Sequence, residues 1–206
     1  MPLFPVFLKL AGRRVLVVGG GPVAAGKLRA LLDAGAEITV VAPDVCEQVA
    51  AAAVTVERRP FVPEDVDGVS FVVAAAPPEV NREVARAADA RGIFVNAVDD
   101  VASANAYAAA IVRRAGVTLA ISTDGAAPAL AGLVREALEA VLPDDLDRWM
   151  ECAAEARNDW LARGVPMEAR RPLLLEALNA LYARKAAAGN ADQPRRELAG
   201  AAGTRR

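Results

Sequence analysis

Short apolar runs alternate with amphipathic segments through the first hundred residues. Residues 15–18 form a continuous apolar run that ends at a glycine, which is typical of a strand buried on both faces of a parallel sheet. Similar runs predict four more strands, over residues 38–42, 54–56, 71–75 and 93–98. The intervening pattern predicts helices over residues 22–34, 46–53 and 78–91. The alternation predicts βαβ units with right-handed crossovers in one parallel sheet.

The pattern changes after Asp100, where helices predominate. The predicted elements there are a strand over residues 117–122 and helices over residues 128–142, 146–163 and 166–185. Apolar periodicity ends at Gly189, so we expect residues 189–206 to be disordered. The last predicted helix carries a stripe of leucines at helical spacing, which consists of Leu173, Leu174, Leu178 and Leu181. Such a stripe is typical of packing in a core or in a dimer interface and not of a cofactor site.

Charge and composition exclude several classes of function. The net charge of -2 and the lack of a long basic run argue against nucleic acid or an anionic membrane as a partner. Prolines interrupt the apolar N-terminus, and no segment reaches the ~18 uncharged apolar residues of a membrane span, so we expect a cytoplasmic protein. The chain has no histidine, which excludes histidine bases and most zinc sites. Its two cysteines, Cys46 and Cys152, are interpreted as thiols, and no metal site is predicted.

Residues 19–24 read Gly-Gly-Gly-Pro-Val-Ala and fit the pattern G-x-G-x-x-A, directly between a predicted strand and a predicted helix. Gly19 permits the tight turn, and Gly21 lets backbone N–H groups approach a pyrophosphate. The small side chain of Ala24 allows the helix to pack close to the strand. The free N–H groups at the start of the helix stabilise phosphate charge. This loop therefore predicts a dinucleotide-binding site.

The choice between NAD and NADP depends on the end of the second strand. Asp44 lies slightly late for the acidic residue that accepts a hydrogen bond from the ribose 2′-OH. The alternative is that Asp44 caps the helix that starts near Cys46, and both interpretations stay open. The next basic residue along the chain is Arg58, so no cation is predicted to hold a 2′-phosphate. We therefore predict NAD as the cofactor.

Two acidic residues follow the fifth predicted strand, at the edge where ligands bind in open α/β sheets. A carboxylate of Asp99 there can receive the proton lost as hydride leaves a substrate. The alternative for Asp99 and Asp100 is a turn or cap role. The loop Ser122-Thr123-Asp124-Gly125 either lines the same cleft or only joins a strand to a helix.

Taken in order, these motifs resemble the siroheme synthase dehydrogenase/chelatase module. This is the family of precorrin-2 dehydrogenases, some of which are also sirohydrochlorin ferrochelatases. The resemblance covers roughly residues 3–146, with a looser match in the C-terminal helices. It is carried by residues 19–24 with Lys27, Ala34-Gly35-Ala36, Val41-Ala42-Pro43, Asn96-Ala97-Val98-Asp99 and Ile121-Ser122-Thr123 with Gly125 and Pro128-Ala129-Leu130.

The resemblance implies a Rossmann-type α/β domain, a small dimerisation region and an α-helical C-terminal domain. The expected boundaries are residues 1–112, 113–143 and 144–188. The implied activity is oxidation of precorrin-2 to sirohydrochlorin with NAD, by a homodimer that exchanges a strand and a helix. Bifunctional members of the family then insert Fe²⁺ into sirohydrochlorin. Whether this chain inserts Fe²⁺ or Co²⁺ stays open. The family's key aspartate falls on Asp99, and its nucleotide contacts fall near Pro22, Val23, Pro43 and Asp44.

Several interpretations stay open beside the resemblance. Arg113 and Arg114 either bind the carboxylates of a tetrapyrrole or are solvated residues before Gly116. The family has Ser or Thr close before the loop proline, where this chain has Ala126-Ala127, and that departure weakens metal insertion more than dehydrogenation. The alternative functions are a non-catalytic NAD-sensing regulatory domain and an NAD-dependent dehydrogenase of another small substrate.

Overall fold

The computed structural model describes residues 3–98 and 100–191, and for residues 184–191 it describes the backbone alone. The chain forms two compact units. The first comprises Met1–Ile111 with Ala120–Glu136, and the second comprises Val112–Leu119 with Ala137–Arg206. Each unit is described by itself below. None of the helices in the described ranges is long and apolar enough to cross a membrane.

The first unit is built on a parallel five-stranded sheet in the order β3-β2-β1-β4-β5. The strands are β1 (Arg14–Val18), β2 (Glu37–Val41), β3 (Thr55–Glu57), β4 (Phe71–Ala74) and β5 (Val95–Ala97). The helices between them are α1 (Pro22–Asp33), α2 (Glu47–Ala50) and α3 (Pro78–Asp89), with a 3₁₀ turn over Pro63–Val66. The predicted alternation of strands and helices in one parallel sheet is confirmed, with boundaries that differ by a few residues.

Strand β1 lies at the centre of this sheet and is buried on both faces. Leu16 and Val18 pack in one cluster with Val84 of α3. Val15 and Val17 pack in the other cluster with Leu28 and Leu31 of α1. Because side chains alternate across a strand, this division places α1 and α3 on opposite faces of the sheet.

The order of the strands reverses at β1. From β1 the chain proceeds through β2 to β3 on one side, and it returns to β4 and β5 on the other. The carboxyl ends of β1 and β4 therefore bound a crevice at the edge of the sheet. This topological switch point is where open α/β sheets bind their ligands.

The outer edge of β5 is covered by the segment around Asn105. The Val95 N–H donates to Asn105 Oδ1 at 2.6 Å, and the Asn96 side chain donates to the Ala106 carbonyl at 2.9 Å. The Asn105 and Ala106 N–H groups both donate to the Val95 carbonyl. These bonds satisfy backbone groups that an open edge strand would expose.

A two-stranded sheet follows, formed by β6 (Ala110–Arg114) and β7 (Val117–Ile121). The strands are joined by Ala115 and Gly116, whose φ angles of 48° and 80° are those of a type I′ hairpin turn. The prediction of only one strand after Asp100 is wrong. β6 was missed because it follows an alanine-rich stretch, and because Ala-Gly is not the usual Asn-Gly signal of such a turn.

The helices after β7 are α4 (Pro128–Val141), α5 (Leu146–Ala162) and α6 (Met167–Ala191). Trp149 of α5 meets Tyr182 of α6 edge-to-face, with 6.0 Å between ring centroids, and its indole N–H donates to the tyrosine oxygen at 2.6 Å. In the predicted leucine stripe of α6, Leu173 is exposed, while the other three members are partly buried.

The C-terminal boundary differs from the prediction. Helix α6 continues to Ala191, so the expected disorder from Gly189 is wrong for residues 189–191. Three alanines at 186–188 favour helix strongly, which offsets the cost of about 1 kcal/mol for a glycine inside a helix. Residues 192–206, where the rest of that prediction falls, lie outside the described residues.

Candidate functional site

A cleft of about 640 Å³ opens at the carboxyl edge of the five-stranded sheet, at the switch point between β1 and β4. Its walls come from four segments that follow strands of this sheet. The lining residues are Val18, Gly19, Gly20, Gly21, Val41, Ala42, Pro43, Asp44, Pro60, Phe61, Ala75, Ala76, Pro77, Val80 and Glu83. Most of them are small or apolar, as in a pre-formed site for a cofactor.

The first two glycines let the loop after β1 pass between its neighbours. Gly19 has φ +116°, and a Cβ there would lie 2.1 Å from the Ala75 carbonyl oxygen. A Cβ on Gly20 would lie 2.1 Å from the Asp44 carbonyl oxygen. A side chain at either position would collide with backbone. These glycines shape one end of the cleft by removing side-chain volume.

Gly21 has a different environment. It precedes the first residue of α1, Pro22, and no atom beyond its immediate neighbours lies within 4 Å of where its Cβ would be. Helix geometry leaves the N–H groups of Val23 and Ala24 without an intrahelical carbonyl. Open space in front of free helix amides is the arrangement that accommodates a pyrophosphate. The residues present therefore fit a dinucleotide.

The predicted nucleotide residues occupy three kinds of position. Gly19, Gly21, Pro43 and Asp44 line the cleft. Pro22 and Val23 form the first turn of α1, where Val23 is 49% exposed. Ala24 is fully buried in the core between α1 and the sheet. This burial is the close packing of helix on strand that the motif requires.

The sequence did not identify the walls formed by Pro60 with Phe61 and by Ala75 with Pro77. Both segments directly follow strands, β3 and β4, whose carboxyl ends meet at this edge. The order of the strands in the sheet would have predicted that these two segments line the cleft. Asn81 was also missed. It is 3% exposed, and its Oδ1 accepts a hydrogen bond from the Ala76 N–H at 2.9 Å, which fixes the turn from β4 into α3.

The structure decides one alternative for Asp44. Helix α2 begins at Glu47 and its N-cap is Cys46, whose N–H donates to the Gly20 carbonyl at 2.8 Å. The interpretation of Asp44 as the cap of this helix is therefore wrong, because the bond to Gly20 fixes Cys46 as the residue before the helix. Asp44 is exposed at the rim of the cleft.

Asp99 lies outside the described residues, and its neighbours on both sides are described. The Val98 N–H donates to the Ala74 carbonyl at 2.9 Å, which continues the pairing of β5 with β4. Asp100 Oδ1 accepts a hydrogen bond from the Ser103 N–H at 3.1 Å. Hydrogen bonding from Ser103, mainly through its side chain, lowers the pKa of Asp100. Asp100 therefore caps a turn.

The loop after β7 is held by its own hydroxyl groups. Ser122 Oγ accepts a bond from the Asp124 N–H at 3.0 Å, and Thr123 Oγ1 accepts one from the Ala127 N–H at 3.2 Å. A Cβ on Gly125 would lie 3.2 Å from a methyl carbon of Val101. The loop thus lies against the turn that begins at Asp100.

The two candidate arginines differ in their contacts. Arg114 forms an ion pair with Asp144 at 2.7 Å and donates to the Leu142 carbonyl at 3.2 Å, all within the second unit. Arg113 is exposed, and no ion pair of Arg113 is found in the described part of the chain. Of the two, Arg113 has the guanidinium that is available to an external carboxylate.

Comparison with known families agrees with this geometry. Residues 6–110 match the model of a family described as "Putative NAD(P)-binding". The chain is 39% identical over 203 residues to a siroheme synthase of Photorhabdus laumondii, covering 96% of this chain and 43% of that protein. It is 36% identical to a siroheme synthase of Zymomonas mobilis, covering 97% of this chain and 43% of that protein. The chain thus spans less than half the length of these curated relatives.

A solved structure is similar to most of this chain. The structure titled "SirC, precorrin-2 dehydrogenase" superposes with a TM-score of 0.66 at 32% sequence identity. The match covers 84% of this chain and 88% of that one. The chain belongs to the family of precorrin-2 dehydrogenases and the corresponding segment of siroheme synthases.

Proposed function

We propose that this chain oxidises precorrin-2 to sirohydrochlorin with NAD as the hydride acceptor. The observation that carries the proposal is the match to a solved precorrin-2 dehydrogenase over 88% of that protein. The two alternatives are a dehydrogenase of another small substrate and a purely sensory domain, and neither is represented by a match of this coverage among the relatives described above. The cleft supplies the second support, because its residues fit a dinucleotide.

The cofactor is held by backbone more than by side chains in this proposal. The space in front of Gly21 accommodates the pyrophosphate, and the amides at the start of α1 donate to it. Asp44 at the rim accepts a hydrogen bond from a ribose hydroxyl. Bound NAD supplies an acceptor for two electrons and one proton, in the form of hydride.

The remaining proton is assigned to Asp99. Oxidation of precorrin-2 releases one hydride and one proton, and the chain has no histidine to accept the proton. Asp99 follows β5 in the sequence and matches the family's key aspartate. A carboxylate that accepts a proton during hydride transfer acts as a general base.

The substrate side of the proposal uses the loop after β7 and one arginine. Asp124 and the hydroxyl groups of Ser122 and Thr123 lie on a loop that contacts the turn after Asp99 and Asp100. Arg113 is proposed to pair with a carboxylate of the tetrapyrrole, because guanidinium binds carboxylates bidentately. Arg114 is a weaker candidate for this role, because its guanidinium already forms an ion pair with Asp144.

The test is an anaerobic assay with purified protein, precorrin-2 and NAD. We expect the absorbance of NADH to rise together with that of sirohydrochlorin. Omission of NAD is the matched control and should stop the reaction. A protein that binds NAD but produces no NADH from precorrin-2 would contradict the proposed activity and favour a sensory role.

A second candidate function is insertion of Fe²⁺ or Co²⁺ into sirohydrochlorin. The name of the curated relatives, siroheme synthase, favours it, because siroheme contains iron. Among the described residues, no group of three or more acidic or cysteine side chains could hold a metal ion. A metal-dependent change in sirohydrochlorin absorbance, above the rate without protein, is the expected result. A rate of metal insertion equal to that without protein would contradict this second function.

A homodimer in the cytoplasm completes the proposal. Helix α4 carries large apolar side chains that are exposed in one chain, with Leu130 at 52%, Leu133 at 63% and Val141 at 73%. A second copy would cover such a surface over residues 117–142. Light scattering at micromolar concentration should give the mass of two chains. A mass of one chain would contradict the dimer.

A further inference from the structure

An arginine lies at the same end of the sheet as Asp44, although the two are distant in sequence. Val41 of β2 pairs with Glu57 of β3, and the Ala42 N–H donates to the Glu57 carbonyl at 3.1 Å. Asp44 follows Ala42 by two residues, and Arg59 follows Glu57 by two residues. The parallel pairing therefore carries a guanidinium to the edge where β2 ends. Sequence distance alone gave no reason to expect a cation there.

This edge is where dinucleotide-binding sheets distinguish their cofactors. An acidic residue after the second strand accepts a hydrogen bond from the ribose 2′-OH of NAD, and a nearby arginine accommodates the 2′-phosphate of NADP. The segment after Arg59 reaches the cleft directly, since Pro60 and Phe61 line it. A free guanidinium at Arg59 would be well suited to a phosphate.

Arg59 is not free. Its two terminal nitrogens form a bidentate pair with Asp65, from Nη1 to Oδ2 at 2.8 Å and from Nη2 to Oδ1 at 2.6 Å. Nη2 also contacts the carboxylate of Glu57, and Nη1 donates to the Pro60 carbonyl at 3.1 Å. Two carboxylates therefore surround one cation. The hydrogen bonding that Arg59 donates to Asp65 is the largest of the effects that raise the pKa of Arg59.

Asp65 is well placed to hold this arrangement. Its side chain is only 9% exposed, and its Oδ2 also accepts a hydrogen bond from the Val62 N–H at 2.9 Å. These bonds fix the carboxylate between the 3₁₀ turn and the strand end. Arg59 in turn holds the pKa of Asp65 below its usual value, so the carboxylate stays charged near neutral pH.

We propose that Asp65 is a specificity-determining residue that secures the preference for NAD, because it engages Arg59 and denies that cation to the 2′-phosphate of NADP. Asp65 acts through Arg59 and is a positioning residue. The inference rests on the proposed use of NAD in the cleft. A 2′-phosphate would also meet the negative charges of Asp44, Glu57 and Asp65, which oppose its approach.

The test compares the affinities for NAD and NADP by calorimetry, at low ionic strength where charge effects are largest. Wild-type protein should bind NAD more tightly than NADP. Asp65→Asn keeps an oxygen for the Val62 N–H and removes the charge. We expect it to strengthen NADP binding at least about tenfold, the effect of one charge-assisted hydrogen bond, with NAD affinity nearly unchanged.

Three further variants make the result specific. Asp67→Asn removes the same charge two residues away, where the carboxylate pairs with Arg91 at 2.5 Å, and it should leave the ratio of affinities unchanged. Glu57→Gln frees Arg59 from its other carboxylate without touching the 3₁₀ turn, and it should shift the ratio toward NADP by a smaller factor. Adding Arg59→Ala to Asp65→Asn should abolish the gain.

The outcomes separate two failures. If Asp65→Asn and Glu57→Gln leave the ratio of affinities unchanged, or weaken both cofactors equally, Asp65 has only a structural role and the inference is overturned. If wild-type protein binds neither dinucleotide, the proposed cofactor site is wrong and the inference is overturned with it. If wild type binds NAD and oxidises precorrin-2 while the ratio stays constant, only the role of Asp65 is removed.

Discussion

The cofactor cleft and the turns after β5 are stabilised by different means. In the cleft, backbone approaches backbone, and Gly19 and Gly20 leave no volume for a side chain. In the turns, polar side chains hold the backbone. Asp100 accepts from the Ser103 N–H, and the Tyr107 hydroxyl donates to the Val101 carbonyl at 3.2 Å.

This difference has consequences for recognition. A loop that depends on missing side chains tolerates few residue types, so its pattern is short and general. Turns that depend on Ser, Thr, Asn and Asp can be built from many combinations of these residues. The cleft can therefore be recognised from physical rules, whereas the chemistry of the second region needs a family resemblance. Substitutions should reveal the same division.

The largest expected effect is in the second region, at Asp99. Asp99→Ala should keep its fold and its affinity for NAD, because the glycine loop in front of α1 is unchanged. It should lose at least about 100-fold in the rate of NADH formation from precorrin-2, the lower end of the range for a general base. If metal insertion occurs, the same variant should be impaired in it.

The matched control is Asp100→Asn, which keeps an oxygen for Ser103 and removes the neighbouring charge. Its rate of NADH formation should stay close to that of wild type. Wild-type rates in Asp99→Ala, for oxidation and for metal insertion, would remove Asp99 from the mechanism. The turns after β5 would then have no demonstrated role in catalysis.

The next largest effect is on the free energy of unfolding, which should fall more on substitution of Gly19 than on substitution of Gly21. Gly19→Ala places a Cβ 2.1 Å from a carbonyl oxygen at φ +116°, so we expect a loss of at least about 2 kcal/mol of unfolding free energy. Gly21→Ala meets open space and should cost less than about 1 kcal/mol. Urea denaturation of both variants measures the difference. Equal losses would show that backbone contact does not shape this loop.

The smallest expected effect is a dependence of stability on pH at Asp65. Because Arg59 lowers the pKa of Asp65 in the folded chain, the ion pair stabilises the fold above the unfolded pKa of about 3.9. That contribution is lost as pH falls through the lowered folded value. Asp65→Asn should therefore reduce the melting temperature by about 2 °C at pH 7 and by less at pH 3. A constant difference at both pH values would contradict the ion pair's role.

The sequence predicted most of the first unit because its strands are continuous apolar runs bounded by glycine and proline. It missed β6, where alanines carry no clear strand signal, and it ended the last helix at residue 185, whereas α6 continues to Ala191. Within the cleft it identified the glycine loop but not Phe61 or Ala76. Those residues belong to other strand ends, and only the order β3-β2-β1-β4 brings them beside the loop.

The most direct test of the central claim, that the cleft at the glycine loop holds NAD, is a calorimetric titration of wild-type protein and Gly21→Asp. The substitution places a side chain and a negative charge in the open space before α1, where nothing else lies within 4 Å. We predict saturable binding of NAD to wild type and no measurable binding to Gly21→Asp, with circular dichroism unchanged. A variant that binds NAD as tightly as wild type would contradict the assignment of the site.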